Sequence, residues 1–187
     1  MLARKQYAPI PPWLRIVIIA IGVGFAIFLL STSALFVDNK YQAEVKKESI
    51  ALKLHNEAMS GQYKLIDTAT LKQQLDNKQP MLIVDAMPFE KSYQIEHIPT
   101  AVQFLFPIST MVKWNIEETG NKTINDFTAL LGSDKSQTLV FYCGFVKCGR
   151  SHNAASWAIK LGYTNVYRYP GGIYAWKGNR YSTMSSN

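Results

Sequence analysis

The sequence has 187 residues, a formal net charge of +7, 48% hydrophobic residues and 18% charged ones. That length suits one domain plus an appendage, and the apolar share excludes a chain disordered throughout. No basic stretch is interleaved with stacking aromatics, so no nucleic-acid surface is expected, and two cysteines are too few for a disulfide scaffold.

Arg4, Lys5 and Arg15 precede the first apolar run with no acid among them, giving a basic N-terminal tail over 1–15. Residues 16–37, IVIIAIGVGFAIFLLSTSALFV, carry no charge. As a helix they cover about 33 Å, enough for a hydrocarbon core of about 30 Å. A single transmembrane helix is expected there, with Trp13 suited to the headgroup layer and Pro11 and Pro12 stopping backward extension. A cleaved signal peptide competes, since Ser31-Thr32-Ser33 offers small residues, but the run is longer than a usual signal core. The short acid-free tail favours the cytoplasmic side, which puts the rest in the periplasm or outside the cell. Lys40, Lys46, Lys47 and Lys53 on the other side keep lysine and arginine counting from deciding this alone.

Residues 38–61 read as a helical stalk, without Pro or internal Gly, closed by Gly61. Tyr41, Val45, Leu52 and Met59 fall roughly on one face, a stripe expected to pack on the domain or to pair with itself.

From 62 to 187 short apolar runs alternate with helical ones. Strands are expected at 64–66, 81–84, 101–104, 138–142 and 165–169. Helices are expected after Asp67 as N-cap, with Leu71 and Leu75 on one side, over 125–131 stopped by Gly132, and over 151–161 ended by Gly162. Pro170-Gly171-Gly172 forms a turn before a short helix holding Trp176. Strands alternating with helices imply an α/β fold: a parallel sheet with helices on both faces. Chemistry in such sheets lies beyond the carboxyl ends of the strands.

Cys143 directly follows the strongest strand, and the stretch to Ser151 reads Cys-Gly-Phe-Val-Lys-Cys-Gly-Arg-Ser. A cysteine attacks as its thiolate, and an ordinary thiol is mostly protonated at neutral pH. Inward N–H groups of a curled loop and of the following helix start form an anion nest. Gly144 and Gly149 allow the positive φ values that such a curl often needs, and Lys147 and Arg150 add positive charge. A cysteine at a strand end is often only a small buried hydrophobe. The flanking glycines, Arg150 and Ser151 shift the reading toward a reactive thiol.

At these residues the sequence resembles the rhodanese family of single-domain sulfurtransferases, over about Lys64 to Gly178. The carriers are Leu82-Ile83-Val84-Asp85, then Glu96-His97-Ile98-Pro99-Thr100-Ala101. Val140-Phe141-Tyr142-Cys143 with Arg150-Ser151 follows, then Leu161-Gly162-Tyr163, Gly171-Gly172 and Ala175-Trp176. The resemblance implies that Cys143 takes sulfane sulfur from a small anionic donor such as thiosulfate. Cys143 then holds it as a persulfide and passes it to cyanide, a thiol or a partner protein, without cofactor or metal. It implies that the backbone of Gly144, Phe145, Val146, Lys147, Cys148 and Gly149 cradles the persulfide, and that Arg150 and Ser151 complete the substrate site. Cys148 is a candidate resolving thiol. His97 and Asp85 are expected to be structural and His152 to lie on the surface. Met87 stands where the family often has Arg, Glu96 and Thr100 replace two glycines, and six residues rather than four separate Cys143 from Arg150. Alternatives are a thiol–disulfide or sensing module using Cys143 and Cys148, a phosphatase-like use of the loop, and a non-catalytic binding domain.

Overall fold

The structure, a computed structural model, describes residues 11–186, and of residues 16, 19, 20 and 22–38 the backbone alone. Arg4 and Lys5 of the basic tail lie outside the described residues, as do most side chains of the expected membrane segment. Helix α1 (Pro12–Gly61) runs through that segment and the stalk without a break. Among the described residues, no helix is long and apolar enough to cross a membrane.

The chain divides into two compact units between Ser49 and Ile50. The domain unit therefore includes the last turns of α1, where the sequence suggested a start at residue 62. The face of α1 that packs on the domain is also a different one. Leu52 and Met59 are exposed, whereas Leu54, Glu57, Ala58 and Gly61 turn inward. The spacing of these four gives one helical face, but a glutamate and a glycine within it hide it from a hydrophobicity reading.

The remaining elements follow in chain order as β1 (Lys64–Leu65), α2 (Thr68–Asp76), β2 (Leu82–Asp85), a π-helical turn (Phe89–Tyr93), β3 (Val102–Gln103), α3 (Ile124–Leu131), β4 (Leu139–Tyr142), α4 (Arg150–Lys160), β5 (Val166–Tyr169) and α5 (Gly172–Gly178). Local chemistry sets several of these boundaries. Asp67 caps α2 by accepting the Thr70 N–H at 2.9 Å. Thr123 and Asp126 form a reciprocal capping box at the start of α3.

The five strands form one parallel sheet in the order β1-β5-β4-β2-β3. Alternate residues of the central strands feed two cores. Leu139 and Phe141 of β4 and Val84 of β2 join Phe127, Leu131, Ala154, Ala155 and Ala158 of α3 and α4. Val140 and Tyr142 of β4 and Ile83 of β2 join Leu71 of α2 and Ile173 and Trp176 of α5. Helices thus cover both faces, as the alternation of elements implied. The C-terminal ends of β4, β5 and β2 meet at one rim, and the β4–α4 loop rises from the middle of it.

Candidate active site

Residues 143–149 connect Tyr142 to the first turn of α4. Four contacts fix their curl. The Cys148 N–H donates to the Phe145 carbonyl at 2.9 Å, closing a turn whose tip carries exposed Phe145 and Lys147. The N–H groups of Ile173 and Tyr174 donate to the carbonyls of Cys143 and Gly144, both at 3.0 Å, tying the loop base to α5. Gly149 comes so near Ile108 that an added Cβ would lie 2.2 Å from the Ile108 carbonyl oxygen.

Neither Gly144 nor Gly149 has the positive φ that the sequence suggested; Gly149 is helical at φ −77°. Gly149 is required for close approach. The positive φ occurs instead at Gly172 (φ +60°), where a Cβ would lie 2.2 Å from the Cys143 carbonyl oxygen. Gly172→Ala therefore meets a strained backbone and a rigid neighbour together. It should lower stability by at least about 2 kcal/mol in urea unfolding followed by tryptophan fluorescence. A loss below about 0.5 kcal/mol would mean that the α5 turn is not clamped on the loop.

Both cysteines are free and buried, Cys143 at 1% exposure and Cys148 at 6%. Their environments differ. The Cys143 S–H donates to the Cys148 carbonyl oxygen 3.4 Å away. The Cys143 sulfur in turn meets the Ser151 hydroxyl at 3.2 Å and the Ser151 N–H. Burial, and the hydrogen bond given to Cys148, push the Cys143 thiol well above its ordinary range. Cys148 is pulled down to about 6, first by the Cys143 hydrogen bond, then, against burial, by the N–H groups of Arg150 and Gly144 and by the Arg150 charge. The two thiols form one buried pair in which burial disfavours charge on Cys143 and the surrounding donors favour it on Cys148.

Of the residues expected to cradle sulfur, Gly144, Arg150 and Ser151 turn N–H groups onto the two sulfurs. The Val146 carbonyl accepts from Arg168, and the Lys147 carbonyl from Lys53 at 3.3 Å. The Arg150 guanidinium donates to the Phe106 carbonyl.

Arg168, read from sequence only as part of a strand, is fully buried beside the loop. It donates to Ser151 Oγ at 3.0 Å, to the Cys148 and Val146 carbonyls at 3.1 and 3.4 Å, to Tyr63 at 3.2 Å and to Glu57 at 2.5 Å. One guanidinium thus spans the loop, the end of α1 and the start of α4. Its sequence signal was a charge inside the apolar run Val166-Tyr167-Arg168-Tyr169. His152 is half-buried rather than on the surface, with Nδ1 2.8 Å from the Tyr63 hydroxyl. His97 lies away from the sulfurs, stacked on Tyr93 with ring centroids 4.0 Å apart, and Nδ1 2.8 Å from the Tyr93 carbonyl oxygen.

Asp85 ends β2 beneath the loop. Its carboxylate accepts the Met87 N–H at 2.9 Å, yet burial, aided by the Cys148 charge, raises it to about 6. An aspartate raised in the folded state holds a proton that the unfolded chain has released. Stability therefore falls as pH rises from about 4 to about 6 and stays lowered above that. Asp85→Asn should stabilise the domain by about 2 kcal/mol at pH 8 and by nothing measurable at pH 3.5. Equal gains at both values in urea unfolding would assign the effect to packing instead.

The family profile of the rhodanese-like domain matches residues 67–179. No curated protein matches the chain. A crystal structure of a Bacillus halodurans protein is 20% identical with a TM-score of 0.51, covering 73% of this chain and 87% of that one. The rhodanese-like domain of an Anabaena protein, solved by NMR, is 21% identical with a TM-score of 0.48, covering 65% and 78%. The thiosulfate sulfurtransferase of Pseudomonas aeruginosa is 16% identical with a TM-score of 0.50, covering 72% of this chain but 23% of its own.

Proposed function

We propose that this chain, which belongs to the rhodanese-like domain family, is a sulfurtransferase that moves sulfane sulfur through a cysteine persulfide in the 143–151 loop. The observation that supports this most is the Cys148 sulfur, which receives N–H groups from Gly144 and Arg150 and lies in the field of the Arg150 guanidinium. With a value near 6, its thiolate form is favoured at neutral pH. The thiolate attacks the outer sulfur of a donor of the thiosulfate type. The donor's S–S bond breaks, sulfite leaves with the bonding pair, and a persulfide remains on Cys148. Arg150 offsets the donor's negative charge, and the two N–H groups hold the persulfide anion. Cyanide or a thiol then attacks the terminal sulfur, and the Cys148 thiolate departs. Neither half-reaction calls for a metal or a cofactor. Both sulfurs are buried in the resting loop.

In this reading sulfur lands first on Cys148, whereas the family position pointed to Cys143. Incubating the full chain with thiosulfate should release one sulfite per chain without any acceptor. A chain that releases none is not a sulfurtransferase for this donor class.

The uncharged run at 16–37 supports a single-pass membrane tether, with the domain periplasmic or otherwise extracytoplasmic. Alkaline carbonate should leave the chain in the membrane pellet, and protease added outside the inner membrane should cut the domain. A chain freed into the supernatant would contradict the tether.

A further inference from the structure

The β4–α4 loop is gripped from a segment of α1 that precedes the residues matched to the family, 67–179. Residues 50–61 nevertheless belong to the compact domain unit. Lys53 and Glu57 stand one helical turn apart on this segment and form an ion pair at 3.6 Å. Each reaches the loop. Lys53 Nζ donates to the Lys147 carbonyl at 3.3 Å. Glu57 accepts from Arg168 Nη1 at 2.5 Å, and Arg168 Nη2 donates to the Val146 and Cys148 carbonyls. Three successive loop carbonyls, 146 to 148, thus face two cations, and one α1 carboxylate is paired with both.

We propose that Lys53 and Glu57 are positioning residues for the sulfur site, so that the last turns of α1 belong to the machinery of the reaction and are more than a stalk. The inference rests on the sulfurtransferase reading for its chemistry, and it holds whichever loop cysteine carries the sulfur. A trans peptide sends its N–H opposite to its C=O. The contacts that hold the 146, 147 and 148 carbonyls therefore also fix the directions of the N–H groups of Lys147, Cys148 and Gly149. A loop that holds an anion works only while its donors keep their aim. A misplacement of about 1 Å costs up to about 100-fold in rate.

Glu57 has the larger share. Arg168 is fully buried, and among the described residues Glu57 is the only carboxylate within ion-pair distance of it. Tyr63, 3.2 Å from the same nitrogen, carries no charge to replace it. A buried cation without its counter-ion is left uncompensated. The path to water opens where the partly exposed carboxylate stood, and a guanidinium drawn there loosens its hold on the 146 and 148 carbonyls. Lys53 contributes less, because its side chain is half exposed and it holds one carbonyl.

The test compares the full wild-type chain with Glu57→Gln, Lys53→Met and, as a control, Asp76→Asn, which weakens the Lys72–Asp76 pair on α2. Thiosulfate:cyanide turnover and iodoacetamide labelling of the loop are read under conditions where urea unfolding shows each variant folded. Glu57→Gln should lower kcat at least about 10-fold and speed labelling. It should not raise KM for thiosulfate, since losing a carboxylate leaves more positive charge around an anionic donor. Lys53→Met should show a smaller loss of kcat, and it decides the question alone if Glu57→Gln does not fold. Asp76→Asn should match wild type in both readouts. A lower KM for Glu57→Gln, with kcat and labelling unchanged, would reduce Glu57 to a distant charge and overturn the proposal. Wild-type kcat, KM and labelling in both variants would overturn it too. Faster labelling of the variants, with no turnover even in wild type, would remove the sulfurtransferase reading and leave Lys53 and Glu57 as holders of the loop.

Discussion

Cys148→Ser should lower thiosulfate:cyanide turnover at least about 10³-fold. A serine hydroxyl keeps the N–H groups of Gly144 and Arg150 occupied but does not ionise at neutral pH. Cys143→Ala acts differently. It removes the largest of the causes that lower Cys148, the hydrogen bond from the buried thiol. The pH at which activity reaches half its plateau should therefore move up from about 6. The sign is that of a thiolate: activity is lost as pH falls through the Cys148 value and flat above it. Stopped assays across pH 5 to pH 9 on the two variants check both statements. Full turnover in Cys148→Ser, with loss in Cys143→Ala, would move the nucleophile back to Cys143.

Arg168→Met should lower the stability of the domain by about 3 kcal/mol. The effect is large because the guanidinium is fully buried and its partners lose their donor together: the Ser151 hydroxyl oxygen, the Cys148 and Val146 carbonyls, Tyr63 and Glu57. Glu57 is the partner best placed to recover. Its side chain is 17% exposed, and the Lys53 ammonium lies 3.6 Å away. Glu57→Gln alone should therefore cost less than Arg168→Met, and the double variant should cost less than the sum of the two. The same substitution should speed alkylation of the loop cysteines, because the 146 and 148 carbonyls come free. Urea unfolding and iodoacetamide labelling read the two effects separately. A loss below about 1 kcal/mol with unchanged labelling would mean that Arg168 does not hold the loop.

The order of elements was readable because it depends on local signals. The apolar run at 139–142, the caps at Asp67 and Thr123, and the glycines ending helices at Gly132 and Gly162 act within a few residues. The parallel sheet and its two covered faces follow from their alternation. Features that depend on contacts between distant residues were hidden. Arg168 reads only as part of a strand until Glu57, 111 positions earlier, is brought beside it. The inward face of α1 contains a glutamate, so the more apolar stripe drew attention although Leu52 and Met59 are exposed.

The loop itself was legible as a place but not as a charge distribution. Two cysteines five residues apart beside Arg150 marked it. Which sulfur is ionised depends on where individual N–H groups point, and no spacing encodes that. The carbonyl of residue 148 accepts the Cys143 proton, while the Gly144 and Arg150 amides favour charge on Cys148. The roles of the glycines are ambiguous for a related reason. A glycine marks either a left-handed turn or a close approach. Gly149 does the second against Ile108, and Gly172 does both against the carbonyl of Cys143.

The most direct measurement is the rate of iodoacetamide labelling of each cysteine against pH in the full native chain. Lys147 stands between the two, so trypsin places them on separate peptides. Cys148 should label first, with a midpoint near pH 6, and Cys143 should stay unlabelled until the chain is unfolded. Cys143 labelling first, or both cysteines titrating together above pH 8, would contradict a loop built to hold a thiolate at Cys148.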